Sequence, residues 1–456
     1  MFNTIKNALK TPDVRKRVLY TLLLIVIFRL GCFISVPTVD YRYLPDGQGG
    51  ITQLIDTISG GAFSNISIFA LSITPYITAS IVIQLLAMIV PSLERLTKEG
   101  GEDGRNKINK YTKIVTLVLA FIEGLGYYLS FKSQNQLLFI GSYSQSGFER
   151  FMTAAVVILS FMAGTSFLMW LGDQITNKGI GNGISMLIFV GIVSGLPDAV
   201  IMLKNLVFTG DFSTTNLITA LAIIIGTIIL VSGVVFVQQA ERKVPVQYSK
   251  RVVGRKMMGA QNTHIPLKLA MAGVMPIIFA SSFMTFPAMI IQIFKANIAA
   301  ETGFLAFIYK LSIATSTTTL TNAQGIKIGD LPIGYSIANA IIYLLLIVGF
   351  TFFYTYATFN PAEVSNNIKK NGGFIPGIRA GKPTTQYLSS IISKLTLFGG
   401  LFLAIIAIIP MLIRFTDLSF VAFGGTSILI VVGVALETVQ QLESQLVMRH
   451  YKGFLE

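Results

Sequence analysis

The stretch Met169-Trp-Leu-Gly-Asp-Gln-Ile-Thr-Asn-Lys-Gly-Ile-Gly-Asn-Gly-Ile-Ser185 decides how the rest of the chain is read. One apolar run, Met152–Leu171, leads into it and a second, Ile184–Leu203, leads out, so it turns the chain between two long apolar segments. Gly172, Gly179, Gly181 and Gly183 supply the backbone freedom for a tight turn. The Gly179-x-Gly181-x-Gly183 spacing is not that of a dinucleotide-binding loop, and no strand pattern precedes it. A turn at a membrane surface fits both flanks.

Composition supports that environment. Of 456 residues 53% are apolar and only 12% charged, and the mean hydropathy is +0.69. So few charges would not cover a soluble surface. Runs near or above ~18 apolar residues, each able to cross a bilayer as a helix, recur along the chain. They are roughly Val18–Val36, Thr74–Val90, Ile114–Ser130, Met152–Leu171, Ile184–Leu203, Asn216–Val237, Leu267–Ile293, Tyr335–Phe359, Leu388–Ile413 and Leu418–Thr438. Phe304–Ala314 is only about half a span long and is expected on the outer surface. The first run follows Lys6, Lys10, Arg15, Lys16 and Arg17, yet it is too long for a signal peptide and lacks a small-x-small cleavage site. It reads as a retained first span. The expectation is an all-α integral membrane protein of about ten transmembrane helices.

Orientation follows from the basic residues. About three-quarters of the 35 Lys and Arg fall in loops on the side of the N-terminus, which the positive-inside rule makes cytoplasmic for both termini. The net charge of +14 therefore belongs essentially to that face. Five spans on each side of a boundary near Asp211 force residues 211–456 to run opposite to residues 1–210. Inverted halves of this kind place a pathway at their interface.

The segment Ile51–Pro91 is too long for one span and too polar in its middle. Gly60-Gly61 and Ser64-Asn65 interrupt it, and the proline of Thr74-Pro75 should start a new helix. The piece over about 60–72 then reads either as a short half-inserted helix facing a watery cavity or as a simple outer-surface helix.

Candidate chemistry is sparse. His264 and His450 are the only histidines, Cys32 is the only cysteine, and no metal-ligand spacing exists, so no cofactor is expected. Cys32 alone also excludes an internal disulfide. Two ionisable residues lie inside spans. Arg29 is about two turns from Pro37 and is expected to snorkel outward as an anchor. Glu123, near the middle of the third span, must be protonated or bonded to another helix. A proton relay would need further intramembrane acids or histidines.

Two loops are far longer than a turn between spans requires. Residues 238–266 carry Arg242, Lys243, Lys250, Arg251, Arg255 and Lys256, and residues 359–387 carry Lys369, Lys370, Arg379 and Lys382. Such charge satisfies the positive-inside rule; it also suits RNA phosphates or an acidic protein surface.

The opening stretch, Phe28-Arg-Leu-Gly31, the Gly60 segment, both basic loops and Phe423-Gly-Gly-Thr-Ser427 together resemble the SecY family, pore-forming subunits of bacterial protein-translocation channels. The resemblance runs from the first span to the tenth. It implies two inverted five-helix halves around a central pore in the plasma membrane, closed by a short plug helix. The plug would include Gly60, Gly61, Phe63, Ser64, Asn65, Ile66 and Phe69. It implies a constriction of aliphatic side chains at Ile73, Ile77, Ile184, Ile188, Ile278 and Ile430. Two of these sources are i,i+4 pairs, each sharing one helix face. It further implies a polar cluster of Thr78, Glu123 and Ser282 where the halves meet. Docking of the SecA motor ATPase and the ribosome would fall to Lys250, Arg251, Arg255, Lys256 and Arg379. Small membrane subunits, SecE and SecG, would be partners, along with secretory preproteins, their signal peptides and the lipid bilayer itself.

A secondary transporter for a small solute is the rival from another class, and it predicts a compact midplane site with ion-coupling residues. The near absence of intramembrane charge and the size of the basic loops oppose it. An enzyme lacks candidate catalytic groups, and no nucleotide-binding loop is present in the sequence to drive transport.

Overall fold

Lipid offers no partner to a backbone N–H or C=O, so a long apolar run in a membrane closes its own hydrogen bonds as a helix. A computed structural model of the chain describes residues 10–39, 60–62, 65–98, 100–133, 147–208, 214–248, 251–253, 256–258, 262–294, 303–314, 319–321, 327–413 and 425–452. Each of the ten apolar runs contributes a helix there over its described residues. They are α1 (Pro12–Gly31), α2 (Thr74–Ile89), α4 (Gly101–Ser133), α5 (Gly147–Lys178), the pair α6 (Gly183–Ser194) and α7 (Leu196–Phe208), α8 (Thr214–Gln239), α9 (Met275–Phe294), α11 (Ile333–Thr358), α13 (Lys382–Ile413) and α14 (Gly425–Lys452). Shorter helices are α3 (Pro91–Lys98), α10 (Phe304–Ile313) and α12 (Pro361–Lys370). Among the described residues, seven helices are long and apolar enough to cross a membrane, and eight if the pair Thr74–Ile89 and Pro91–Thr97, bent by 105°, counts as one.

Prolines and glycines set the boundaries that differ from expectation. Ile184–Leu203 lies within one span, residues 183–205, interrupted only at Gly195 between α6 and α7, where Pro197 enters without an N–H to continue α6. The run from Leu267 becomes helical only at Met275, after a turn in which Gly273 takes φ +58°. Val90 is extended, as a residue before proline prefers, and Pro91 then sets α3 off at its sharp angle.

The segment over 60–72 differs in kind. Its described residues form successive turns, not the short helix expected. Gly60, Gly61, Ile66 and Ser72 all take positive φ (69°, 84°, 42° and 52°), and each such residue ends a right-handed helical run. Its backbone bonds change span accordingly: Asn65 N donates to Gly61 O, Ser67 N to Ala62 O and Ala70 N to Ser67 O.

The long loop after α8 folds as an antiparallel ribbon, β1 (Glu241–Tyr248) against β4 (Asn262–Lys268), with β2 (Arg251–Val253) and β3 (Lys256–Met258) at its tip. A third strand, β7 (Gly373–Phe374), joins β1 from the second loop, pairing Gln247 with Phe374 and Tyr248 with Gly373. Val244, Val246 and Leu267 face the same core as Ile368, Ile375, Leu388, Ile391 and Ile392. The two basic loops are thus one folded unit. A separate hairpin pairs β5 (Thr319–Thr321) with β6 (Lys327–Asp330).

Candidate functional site

The stretch Met169–Ser185 positions the site through backbone groups it leaves no room to replace. The Thr21 hydroxyl of α1 accepts from Ile180 N (3.1 Å) and Thr176 Oγ1 accepts from Gly183 N (2.9 Å). Asn182 caps α6, its Oδ1 accepting from Ile184 N (3.1 Å) and Ser185 N (3.4 Å). Gly181, at φ +87°, faces Thr438 of α14, and a Cβ on Gly183 would overlap the Gly172 carbonyl. The N-terminus of α6 is therefore fixed between α1, α5 and α14.

From that mounting, α6 carries Ile184 and Ile188 one turn apart. Ile73 caps α2 and Ile77 lies in its first turn. Ile278 comes from the first turn of α9 and Ile430 from α14. All six belong to one large apolar cluster: Ile73, Ile77, Ile188, Ile278 and Ile430 are buried in it, and half-buried Ile184 packs against it. These six are the residues that the resemblance to the SecY family names for its constriction. Ala62 and Phe69, from the turns of 60–72, belong to the same cluster.

Phe69 is the anchor of those turns. Its ring stacks against Phe28 of α1 (6.1 Å between centroids) and Phe167 of α5 (5.9 Å). It occupies a notch at Gly31, where a Cβ would overlap it, while Gly164 makes room for the Ile68 carbonyl. Ile66 is fully buried, beside Val36 and Leu71, and Asn65 is half-buried. Phe63 and Ser64 lie outside the described residues. Arg29 does not snorkel away from this region. Its Nη1 donates to Gly60 O (2.7 Å) and Ser194 Oγ (3.0 Å). A lone arginine inside an apolar run was the sequence signal for that contact; its partner was not readable.

Thr78, Glu123 and Ser282 are all buried, on α2, α4 and α9, and these three helices pack against one another in every pairing. Thr78 Oγ1 donates to Thr74 O (3.1 Å). Glu123 is 3% exposed, and its Oε1 has no hydrogen-bond partner among the described residues. A buried polar atom left in that state is costly.

Of the basic loop residues, Lys250 and Arg255 lie outside the described residues. Arg251 and Lys256 occupy the β2–β3 hairpin. Arg379 is exposed on a turn between Gly377 (φ +79°) and Gly381 (φ +102°). Ser365 Oγ donates to Gly381 O (2.9 Å) and Thr384 Oγ1 to Arg379 O (2.9 Å), which holds the turn on α12 and α13. The β1–β4–β7 sheet escaped the reading of the sequence, although Val244-x-Val246 and Ile265-x-Leu267 show the period-two alternation that marks strands.

Comparison with known proteins agrees with this geometry. The family model described as SecY matches residues 67–439. The protein translocase subunit SecY of Halalkalibacterium halodurans is 42% identical over 466 residues, covering 100% of both chains. Among solved structures, one described as a protein conducting channel superposes with a TM-score of 0.66 at 20% identity, over 95% of this chain and 93% of that one. Sec61 in a canine ribosome–channel complex from the endoplasmic reticulum superposes with 0.63 at 18% identity, again over 95% and 93%. Full-length identity at this level, over the helices that bring the six isoleucines together, makes the chain a member of the SecY family.

Proposed function

We propose that this chain is the pore-forming subunit of a protein-translocation channel in the bacterial plasma membrane, moving unfolded secretory proteins outward. The observation that carries the reading is the one large apolar cluster to which Ile73, Ile77, Ile188, Ile278 and Ile430 belong, with Ile184 against it. A ring of that kind offers ions no fixed ligands, dewets when empty, and seals around any side chain that passes. A site for one small solute would instead present a few placed polar groups.

On this reading the halves 1–210 and 211–456 are inverted about the ring, and the turns of 60–72 are the plug that closes it. The junction of α2 and α4 with α9, where Thr78, Glu123 and Ser282 lie, is the lateral gate through which apolar segments leave for the lipid. The unsatisfied Oε1 of Glu123 suits a seam that must part. The basic loops face the cytoplasm with both termini. They receive the SecA motor or the translating ribosome, with Arg251, Arg379 and their basic neighbours making the contacts, and small SecE- and SecG-like subunits bind the outside of the bundle.

The test uses the single native cysteine. In a Cys32→Ser background, cysteine is placed at position 278 (Ile278→Cys) and challenged with single-cysteine secretory precursors arrested at successive points. A disulfide that moves along the precursor with the arrest point is expected. Its absence at every arrest point, in membranes that still export the precursor through this protein, would remove Ile278 from the conduit. Membranes that export normally without the chain would favour small-solute transport.

A further inference from the structure

Arg29 binds two parts of the molecule that the translocation reading requires to move apart. It is half-buried in α1, and its guanidinium lies 5.7 Å from the Phe33 ring centroid. Nη1 donates to Gly60 O at 2.7 Å and to Ser194 Oγ at 3.0 Å. Ser194 is the last residue of α6, and its hydroxyl proton goes to Gly191 O (2.7 Å), leaving an oxygen lone pair for the arginine. Gly60 fits into the angle between them. A Cβ there would lie 2.6 Å from Ser194 Oγ, 2.8 Å from Arg29 Nη1 and 2.9 Å from Gly191 Cα, and φ is +69°. Only glycine occupies this notch without displacing the arginine.

The other polar ties to this segment are of a different kind. Val36 N donates to Ile66 O and Ile68 N to Ile34 O, both at 2.9 Å, so the chain just after α1 pairs backbone to backbone with the turns. Those bonds travel with α1 and report nothing about the ring. Among the described residues, the arginine contact alone also includes α6, the helix that contributes Ile184 and Ile188. A charged donor shared between two neutral oxygens is stronger than an ordinary backbone bond and is weakened when one acceptor leaves.

We propose that Arg29 is a positioning residue that latches the plug to the ring: while α6 holds Ser194 and Gly191 in place, Gly60 is clamped, and a shift of α6 as the ring widens opens the notch and releases the segment. The proposal rests on the plug and ring roles given above. It makes plug release a consequence of ring widening rather than an independent step.

The experiment is the resting ion conductance of planar bilayers containing the full-length chain in its native membrane complex, without precursor. Deleting residues 61–69 serves as the reference for an unplugged channel. Arg29→Gln is expected to raise open probability about tenfold and Ser194→Ala about threefold. Arg29→Lys, which keeps the charge but not the two-way reach, should fall between wild type and Arg29→Gln. The double variant should match Arg29→Gln alone, because both substitutions remove the same link; a merely structural loss at two places would add. An unchanged conductance in the deletion would overturn the plug reading and the latch with it. A leaky deletion, with Arg29→Gln and Ser194→Ala both at wild-type conductance, would overturn the latch alone. Additive effects in the double variant would remove α6 from the mechanism. Ser194→Ala, which deletes one oxygen and no charge, carries the test should Arg29→Gln accumulate poorly.

Discussion

Gly183 and Gly172 approach so closely that the carbonyl of one stands where a side chain on the other would begin. The obstacle to a Cβ on Gly183 is the backbone of Gly172, so neither a rotamer change nor a flexible tip can relieve it. Gly183→Ala is therefore expected to cost about 1–3 kcal/mol, as other forced insertions into packed interiors do. The thermal unfolding midpoint of the purified chain should fall by several degrees accordingly. Gly226→Ala is the comparison: it is also helical, but a Cβ there meets nothing within 4 Å, so its midpoint should hold or rise. Equal midpoints for the two variants would mean that α5 and α6 have room to separate. At this scale the turn was readable from its glycines, since four of them within one short polar stretch already demanded close backbone approach. Arg29 was not, because its acceptors are a backbone carbonyl 31 positions away and a hydroxyl 165 away.

Elements joined across long sequence separations carry the next level of argument. The β1–β7 pairing converts two loops, each basic and separately anchored, into one body with a shared apolar core. Ile375 is buried in that core while Arg379, four residues on, is exposed. The two positions should separate stability from contact. Ile375→Ala is expected to cost about 2–5 kcal/mol locally, seen as cleavage within 359–387 by protease at least about tenfold faster than in the parent. Arg379→Glu should leave that cleavage pattern unchanged and slow motor-driven export about tenfold, as reversal of a charge at a docking surface does. Export at the parental rate in Arg379→Glu would end its assignment to motor coupling. The helices were legible because a bilayer imposes one solution on every long apolar run. The sheet was less so: β7 is only two residues long and lies more than a hundred residues from β1, and the basic residues satisfied a topology rule that hid their role in a fold. The turns of 60–72 were legible as an interruption but not as to conformation, which depends on Ile66 and Ser72 adopting a left-handed backbone that neither residue type favours.

For the whole molecule, the six isoleucines matter because they arrive from helices widely spaced along the chain yet share one dry cluster with Phe69. The seal then depends on the chemistry of the cluster more than on any one contact. Its members bond to nothing, so a gap between them excludes water for want of partners rather than for want of space. A single polar side chain should therefore open the barrier while leaving its width almost unchanged. Ile278→Asn places an amide able to bond water at the first turn of α9, within the cluster that also holds Ile77, Ile188 and Ile430. Ion conductance of resting membranes should rise about tenfold or more. Ile278→Leu, which conserves volume and apolarity, should stay near the parental value. Conductance that rises equally in both would make the barrier a matter of tight packing. A rise only with asparagine would identify exclusion of water as what holds the closed state.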